Sequence, residues 1–129
     1  MEKPALKAWT QADEVEWRKS STYPSWLTEI IRAKYLITAE RNGCHEAFFG
    51  LFELDPGDYP FHFHPAPEIY YILQGSAEWT VDQETFTATP GTAIYHPPYA
   101  RHRMVNQGPE KLVAIWVWWA PGGDTEVLK

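Results

Sequence analysis

The sequence predicts an all-β domain, either a sandwich or a barrel. Three observations lead there. Between residues 30 and 119, short runs rich in Val, Ile, Thr, Phe, Tyr and Trp follow one another, separated by Gly, Pro, Asn and Asp. The run 76–81 alternates cleanly, with Ala77, Trp79 and Val81 on one face and Ser76, Glu78 and Thr80 on the other. The 129-residue chain is 44% hydrophobic and 16% aromatic, enough for one core and unlike a disordered chain.

Residues 1–29 are mixed and polar, with Trp9, Trp17 and Trp26 scattered through them. They read as an N-terminal extension packing on a barrel domain formed by residues 30–129. Thr10 is expected to cap a short helical turn over residues 11–17, because acidic residues follow it. Strands are then expected at 30–38, 47–54, 59–64, 69–73, 76–81, 85–89, 92–96, 101–105 and 111–119. The intervening turns carry Asp55-Pro56-Gly57-Asp58, Gln74-Gly75, Asp82-Gln83, Pro90-Gly91, Pro97-Pro98 and Asn106-Gln107-Gly108-Pro109. The last run is apolar on both faces. Leu112, Ala114, Trp116 and Trp118 point one way; Val113, Ile115, Val117 and Trp119 point the other. Such a strand is covered on both sides, by the N-terminal segment or by a second subunit. The expectation is a homodimer.

Eleven Lys and Arg against 17 Asp and Glu give a net charge of -6, with no basic run. That excludes an electrostatic footprint for nucleic acid or for an anionic membrane surface. No apolar run approaches the ~20 residues that span a bilayer, and the first residues show no signal-peptide core. The single cysteine, Cys44, fits a reducing compartment, so a soluble cytoplasmic protein is expected.

The chemistry concentrates in HFHPAPEIYYILQG, residues 62–75. Residues two apart on a strand share a face, so His62 and His64 point together, as do Glu68, Tyr70 and Ile72. If the two sets lie on paired strands of one wall, His62, His64, Glu68 and Tyr70 converge. Imidazole and carboxylate together invite a divalent metal. His102 is the expected fourth ligand. His45, next to Cys44, and His96, directly before Pro97, rank lower. Asn106 is expected to fix a turn through its side chain, and Trp79, Trp116 and Trp118 read as core or pocket lining.

GDYPFHFHPAPEIYYILQG resembles the first motif of the cupin superfamily, matched by Gly57, His62, His64, Glu68 and Gly75 with one residue fewer between Gly57 and His62. PGTAIYHPPYARHRMVN resembles the second, through Pro97, His102 and Asn106, with Tyr99 where the motif has glycine. The resemblance spans roughly residues 47–119. It implies a double-stranded β-helix (jelly-roll) barrel with one metal held by three His and one Glu: His62, His64, His102 and Glu68. The metal is a divalent transition ion, Fe, Mn, Ni, Zn, Co or Cu, which this ligand set does not distinguish.

Within that superfamily the chain is similar to the small single-domain dimethylsulfoniopropionate lyases. His62, His64, Glu68, Tyr70 and His102 reproduce their His-x-His, Glu-x-Tyr and later His; their C-terminal tyrosine has no counterpart after Tyr99. The resemblance implies a lyase acting on a small organic acid. The metal serves as Lewis acid on the substrate carboxylate, and Tyr70 is the catalytic base, its acidity increased by the nearby cation. A metal-dependent dioxygenase and a non-catalytic small-molecule-binding or sensor cupin are alternatives on the same ligands.

Overall fold

A computed structural model describes residues 6–19, 23–119 and 126–127. Among the described residues, ten strands form two antiparallel five-stranded sheets packed face to face. In chain order they are β1 (Ile31–Ile37), β2 (Ala47–Leu54), β3 (Gly57–Phe63), β4 (Glu68–Gln74), β5 (Ala77–Val81), β6 (Glu84–Ala88), β7 (Ala93–His96), β8 (His102–Asn106), β9 (Leu112–Trp119) and β10 (Glu126–Val127). One sheet has the order β1-β2-β9-β4-β7, the other β10-β3-β8-β5-β6. This is the jelly-roll barrel that the sequence predicts.

The pattern that creates each strand also aims it. In β4, Glu68, Tyr70 and Ile72 are buried while Ile69, Tyr71 and Leu73 are exposed. In β9, Leu112, Ala114 and Trp116 face the core. Trp79, fully buried on β5, packs edge-on against Tyr70 across the two layers. Strand β2 carries Gly50 because β1 passes too close for any side chain: a Cβ there would lie 1.8 Å from the Lys34 carbonyl oxygen.

The expected helical turn over residues 11–17 shrinks to a 3-10 turn at Ala12–Glu14, and Thr10 does not cap it. The Thr10 hydroxyl instead accepts from Asn42 Nδ2 at 3.2 Å, so a tertiary contact takes the oxygen that a cap would use. Two short helices were not anticipated, α1 (Ser25–Thr28) and α2 (Ala39–Asn42). The α2 start is capped by Thr38, whose side chain accepts from the Arg41 backbone N–H at 3.1 Å.

The described part of the N-terminal segment runs beside the β1 edge. Arg18 and Ala33 exchange backbone hydrogen bonds, and Lys34 Nζ donates to the Ala12 carbonyl. Among the described residues, no helix is long and apolar enough to cross a membrane.

Candidate metal centre

The site lies between the two sheets, with each contribution set by strand register. His62 on β3 is directly opposite His102 on β8, and their ring centres stand 3.9 Å apart. The β3–β8 register shifts between Tyr59 and His62. That irregularity lets Tyr59, three residues before His62, face inward as well and stack on its ring at 3.9 Å. His64 follows β3. Glu68 opens β4, between Trp118 of β9 and His96 of β7. All four predicted ligands are buried. Ligand atoms of His64, Glu68 and His102 lie within 4.8 Å of one another. His62 packs against His102 beside that group rather than within it.

Backbone carbonyls decide which imidazole nitrogen is available. Nδ1 of His62 meets the Pro60 carbonyl at 2.8 Å, Nδ1 of His64 that of Ala66 at 2.7 Å, and Nδ1 of His102 that of Ala100 at 2.9 Å. A carbonyl only accepts, so each Nδ1 carries the proton and each neutral ring keeps its lone pair on Nε2. His64 Nε2 and His102 Nε2 both sit 3.0 Å from Glu68 Oε1. The His102 Nε2 atom is buried and has no hydrogen-bond partner among the described residues, although it stands 3.0 Å from Glu68 Oε1. Two lone pairs facing a carboxylate oxygen are held together favourably only by a proton or a cation. The donor set, two imidazole Nε2 atoms and a carboxylate with His62 adjacent, fits a divalent transition metal.

Glu68 is oriented from behind. Trp116 Nε1 donates to its Oε2 at 2.9 Å. Trp79 Nε1 donates to His96 Nε2 at 2.8 Å, which leaves His96 Nδ1–H to donate to Glu68 Oε1 at 2.8 Å. With both nitrogens engaged, His96 is a positioning residue for Glu68. Its place directly before Pro97 ranks it low in the sequence; its parity with Ile94, buried on the same face of β7, is the usable signal. His45 is exposed and is not part of this group.

The protonation states follow from these contacts. Burial would raise the Glu68 carboxyl, but His102, His64 and His96 outweigh it and hold it well below the usual range. Burial, reinforced by His102, pushes His62 well down. Burial also lowers His96, to about 4. For His64 the contact with Glu68 overcomes burial and raises it. Tyr70 shares the inward face of β4 with Glu68, as parity predicts. Burial first, then the Glu68 charge, pushes its phenol well above its ordinary value.

A cavity of about 590 Å³ opens onto this cluster, lined at the site by His62, His64, Glu68, Tyr70, Trp116 and Trp118. It extends past Tyr35, Phe48 and Arg41 and is large enough for a small-molecule ligand.

A two-sheet barrel with buried imidazoles and a carboxylate between its layers defines a β-barrel of the jelly-roll type with a side-chain group that could hold a metal ion. The sequence matches the cupin domain family over residues 50–118, and the chain belongs to that family. The dimethylsulfoniopropionate lyase DddQ of Ruegeria pomeroyi is 48% identical over 40 residues, 30% of this chain and 20% of that protein. The DddQ crystal structure superposes with a TM-score of 0.71 at 20% identity, over 89% of this chain and 61% of that one. Glucose-6-phosphate isomerase of Thermococcus kodakarensis is 36% identical over 70 residues, 48% of this chain and 37% of that protein. The polyketide cyclase RemF of Streptomyces resistomycificus gives a TM-score of 0.79 at 20% identity, covering 100% of this chain and 87% of that one. The chain spans about half, or less, of the length of the curated relatives it matches.

Proposed function

We propose that this cupin is a mononuclear metal enzyme acting on a small organic acid by β-elimination. The observation that carries this reading is the convergence of His64, Glu68 and His102 on one buried point, with the Nδ1–carbonyl hydrogen bonds of His64 and His102 turning each Nε2 toward Glu68. His62 is proposed as the fourth ligand, its Nε2 released by the same carbonyl device. The short segment of 48% identity with a dimethylsulfoniopropionate lyase supports the lyase assignment.

His62, His64, Glu68 and His102 would hold a divalent cation, which would supply Lewis acidity at the substrate carboxylate and bring Tyr70 down from its raised pKa. Tyr70, lining the cavity two residues from Glu68 on the same face, is the proposed base. It takes the proton from the carbon next to the carboxylate. The electron pair left behind forms the carbon–carbon double bond, and the leaving group departs from the neighbouring carbon with its own pair. Trp116 and His96 keep Glu68 charged and fixed throughout. The single Cys44 supports a cytoplasmic location.

The test begins with metal content. Purified protein is expected to hold about one equivalent of a transition metal, and His64→Ala to lose it. The loaded protein is then given dimethylsulfoniopropionate, with acrylate and dissolved oxygen followed together. Acrylate release without oxygen uptake, abolished by Tyr70→Phe, is expected. Oxygen consumption would replace this reading with a dioxygenase. Metal binding without turnover of sulfonium and hydroxy acids would replace it with a binding protein.

A further inference from the structure

Three indoles surround the candidate metal centre on inward faces: Trp79, Trp116 and Trp118. Two have spent their N–H groups. Trp79 donates to His96 Nε2 at 2.8 Å, and Trp116 donates to Glu68 Oε2 at 2.9 Å. Trp118 does not. Its Nε1 atom is buried and has no hydrogen-bond partner among the described residues. Buried indole N–H groups ordinarily find an acceptor, so the exception needs a physical reason.

Packing does not supply one. The Trp118 ring lies parallel to the His64 imidazole, 4.7 Å between centres at 10°, and meets Trp116 edge-on at 5.9 Å. A phenyl ring would make the same stack without burying a donor. Register places Trp118 directly opposite Glu68, and its side chain lines the cavity that holds both ligands. An unserved donor therefore stands against one metal-ligating residue and across from another.

We infer that Trp118 is a substrate-positioning residue whose Nε1–H is reserved for an acceptor oxygen of the ligand bound at the metal centre. The ligand class this selects is a carboxylate, which presents two oxygens side by side. One is taken at the metal and the second accepts from Trp118. The arrangement gives the ligand a fixed orientation that a single contact would leave free to rotate. The inference rests on the metal reading above and deepens it by naming the donor that reads the acid.

The experiment uses ¹⁵N-labelled, zinc-loaded full chain and propionate as the probe. Zinc uptake is measured first. The seven tryptophans give indole N–H signals, and the one missing from Trp118→Phe, or the one close to the His64 ring protons, identifies Trp118. Propionate is expected to shift that signal saturably. Trp118→Phe is expected to weaken propionate binding at least tenfold while zinc affinity stays within twofold. Trp116→Phe should instead lower zinc affinity, because Glu68 loses a donor. A Trp118 signal that stays still while propionate binds, or a Trp118→Phe protein that binds propionate like the wild type, would overturn the inference and show a donor served by solvent alone. Zinc-loaded protein that binds no propionate would overturn the carboxylate assignment. Failure to take up zinc at all would remove the metal reading itself, and this one with it. If Trp118→Phe does not fold, the signal in the wild-type protein still decides.

Discussion

The buried histidines set how the metal-free protein responds to acid. His96 titrates at about 4 in the fold against 6.5 for a free imidazole, and His62 is also held far down. Below 6.5 the unfolded chain binds protons that the folded chain refuses, so stability falls as pH drops from 6.5 toward 4. The His96 contribution alone is on the order of 3 kcal/mol over that window. Glu68, depressed in the fold, adds stability that is present above its unfolded value near 4.5 and is lost as pH falls through its lower folded value. His64 acts in the opposite sense. Its raised pKa contributes stability that is full below 6.5 and lost as pH rises through its folded value, a smaller offset because its shift is modest. The net expectation is that urea midpoints of the metal-free protein drop steeply between pH 6.5 and 4, and that His96→Gln flattens the curve. A midpoint constant over this range would show that these imidazoles are not held neutral.

At the scale of elements, the turn between β7 and β8 carries a conformational load. The family motif has glycine where this chain has Tyr99. Tyr99 adopts φ of 63°, the left-handed region that glycine enters freely. Its backbone N–H donates to the His64 carbonyl at 2.9 Å, so the strained turn also ties β8 to the ligand-bearing segment. The phenol is largely exposed and buries little in return. Tyr99→Gly is therefore expected to stabilise the protein by about 1 kcal/mol, the cost of a left-handed L-residue less the extra entropy of an unfolded glycine. A raised denaturant midpoint with unchanged metal affinity would confirm it; a lowered midpoint would show that the Tyr99 ring makes contacts worth more than the strain. The neighbouring turn after β8 follows the sequence reading closely. Asn106 accepts from the Gly108 N–H at 2.8 Å and donates to the Leu54 and Glu110 carbonyls.

At the scale of the molecule, one outer sheet face is left apolar. Across β2, β9, β4 and β7 the cross-strand rows read Phe49–Val117–Ile69–Tyr95 and Leu51–Ile115–Tyr71–Ala93. Phe49, Tyr71 and Tyr95 are 37%, 43% and 53% exposed. At ~150–250 Å² each, these three alone leave roughly 250 Å² of aromatic residue surface open. With Ile69, Leu73 and the outward side chains of β9 the patch reaches on the order of 600 Å², close to the ~800 Å² a stable interface takes from each partner. An antiparallel sheet face can pack against a copy of itself. The described N-terminal residues follow the β1 edge instead of covering this face. We propose a homodimer through it. Light scattering after size exclusion should give twice the 14.9 kDa chain mass, and Ile69→Lys with Tyr71→Lys should give one chain mass. A wild-type chain at 14.9 kDa would refute the dimer.

Much of this protein was legible in the sequence because its signals are local. Strand period and turn residues are read within a few positions, so nine strands and the shared faces of β4 and β5 follow from the chain alone, whereas β9 is apolar on both faces and only the structure decides which one is inward. The same parity put His62 with His64 and Glu68 with Tyr70. What the sequence left undetermined depends on which strands become neighbours. His96 meets Glu68 because β7 and β4 pair, and Tyr59 reaches His62 because of a register shift no local pattern shows. The assignment of Nε2 as the free nitrogen needs carbonyls brought close by backbone turns, and the unspent indole of Trp118 is visible only beside two others that are spent. Periodicity fixes the side a residue faces; the long-range pairing of strands fixes what it meets there, and hydrogen-bond partnership belongs to the second.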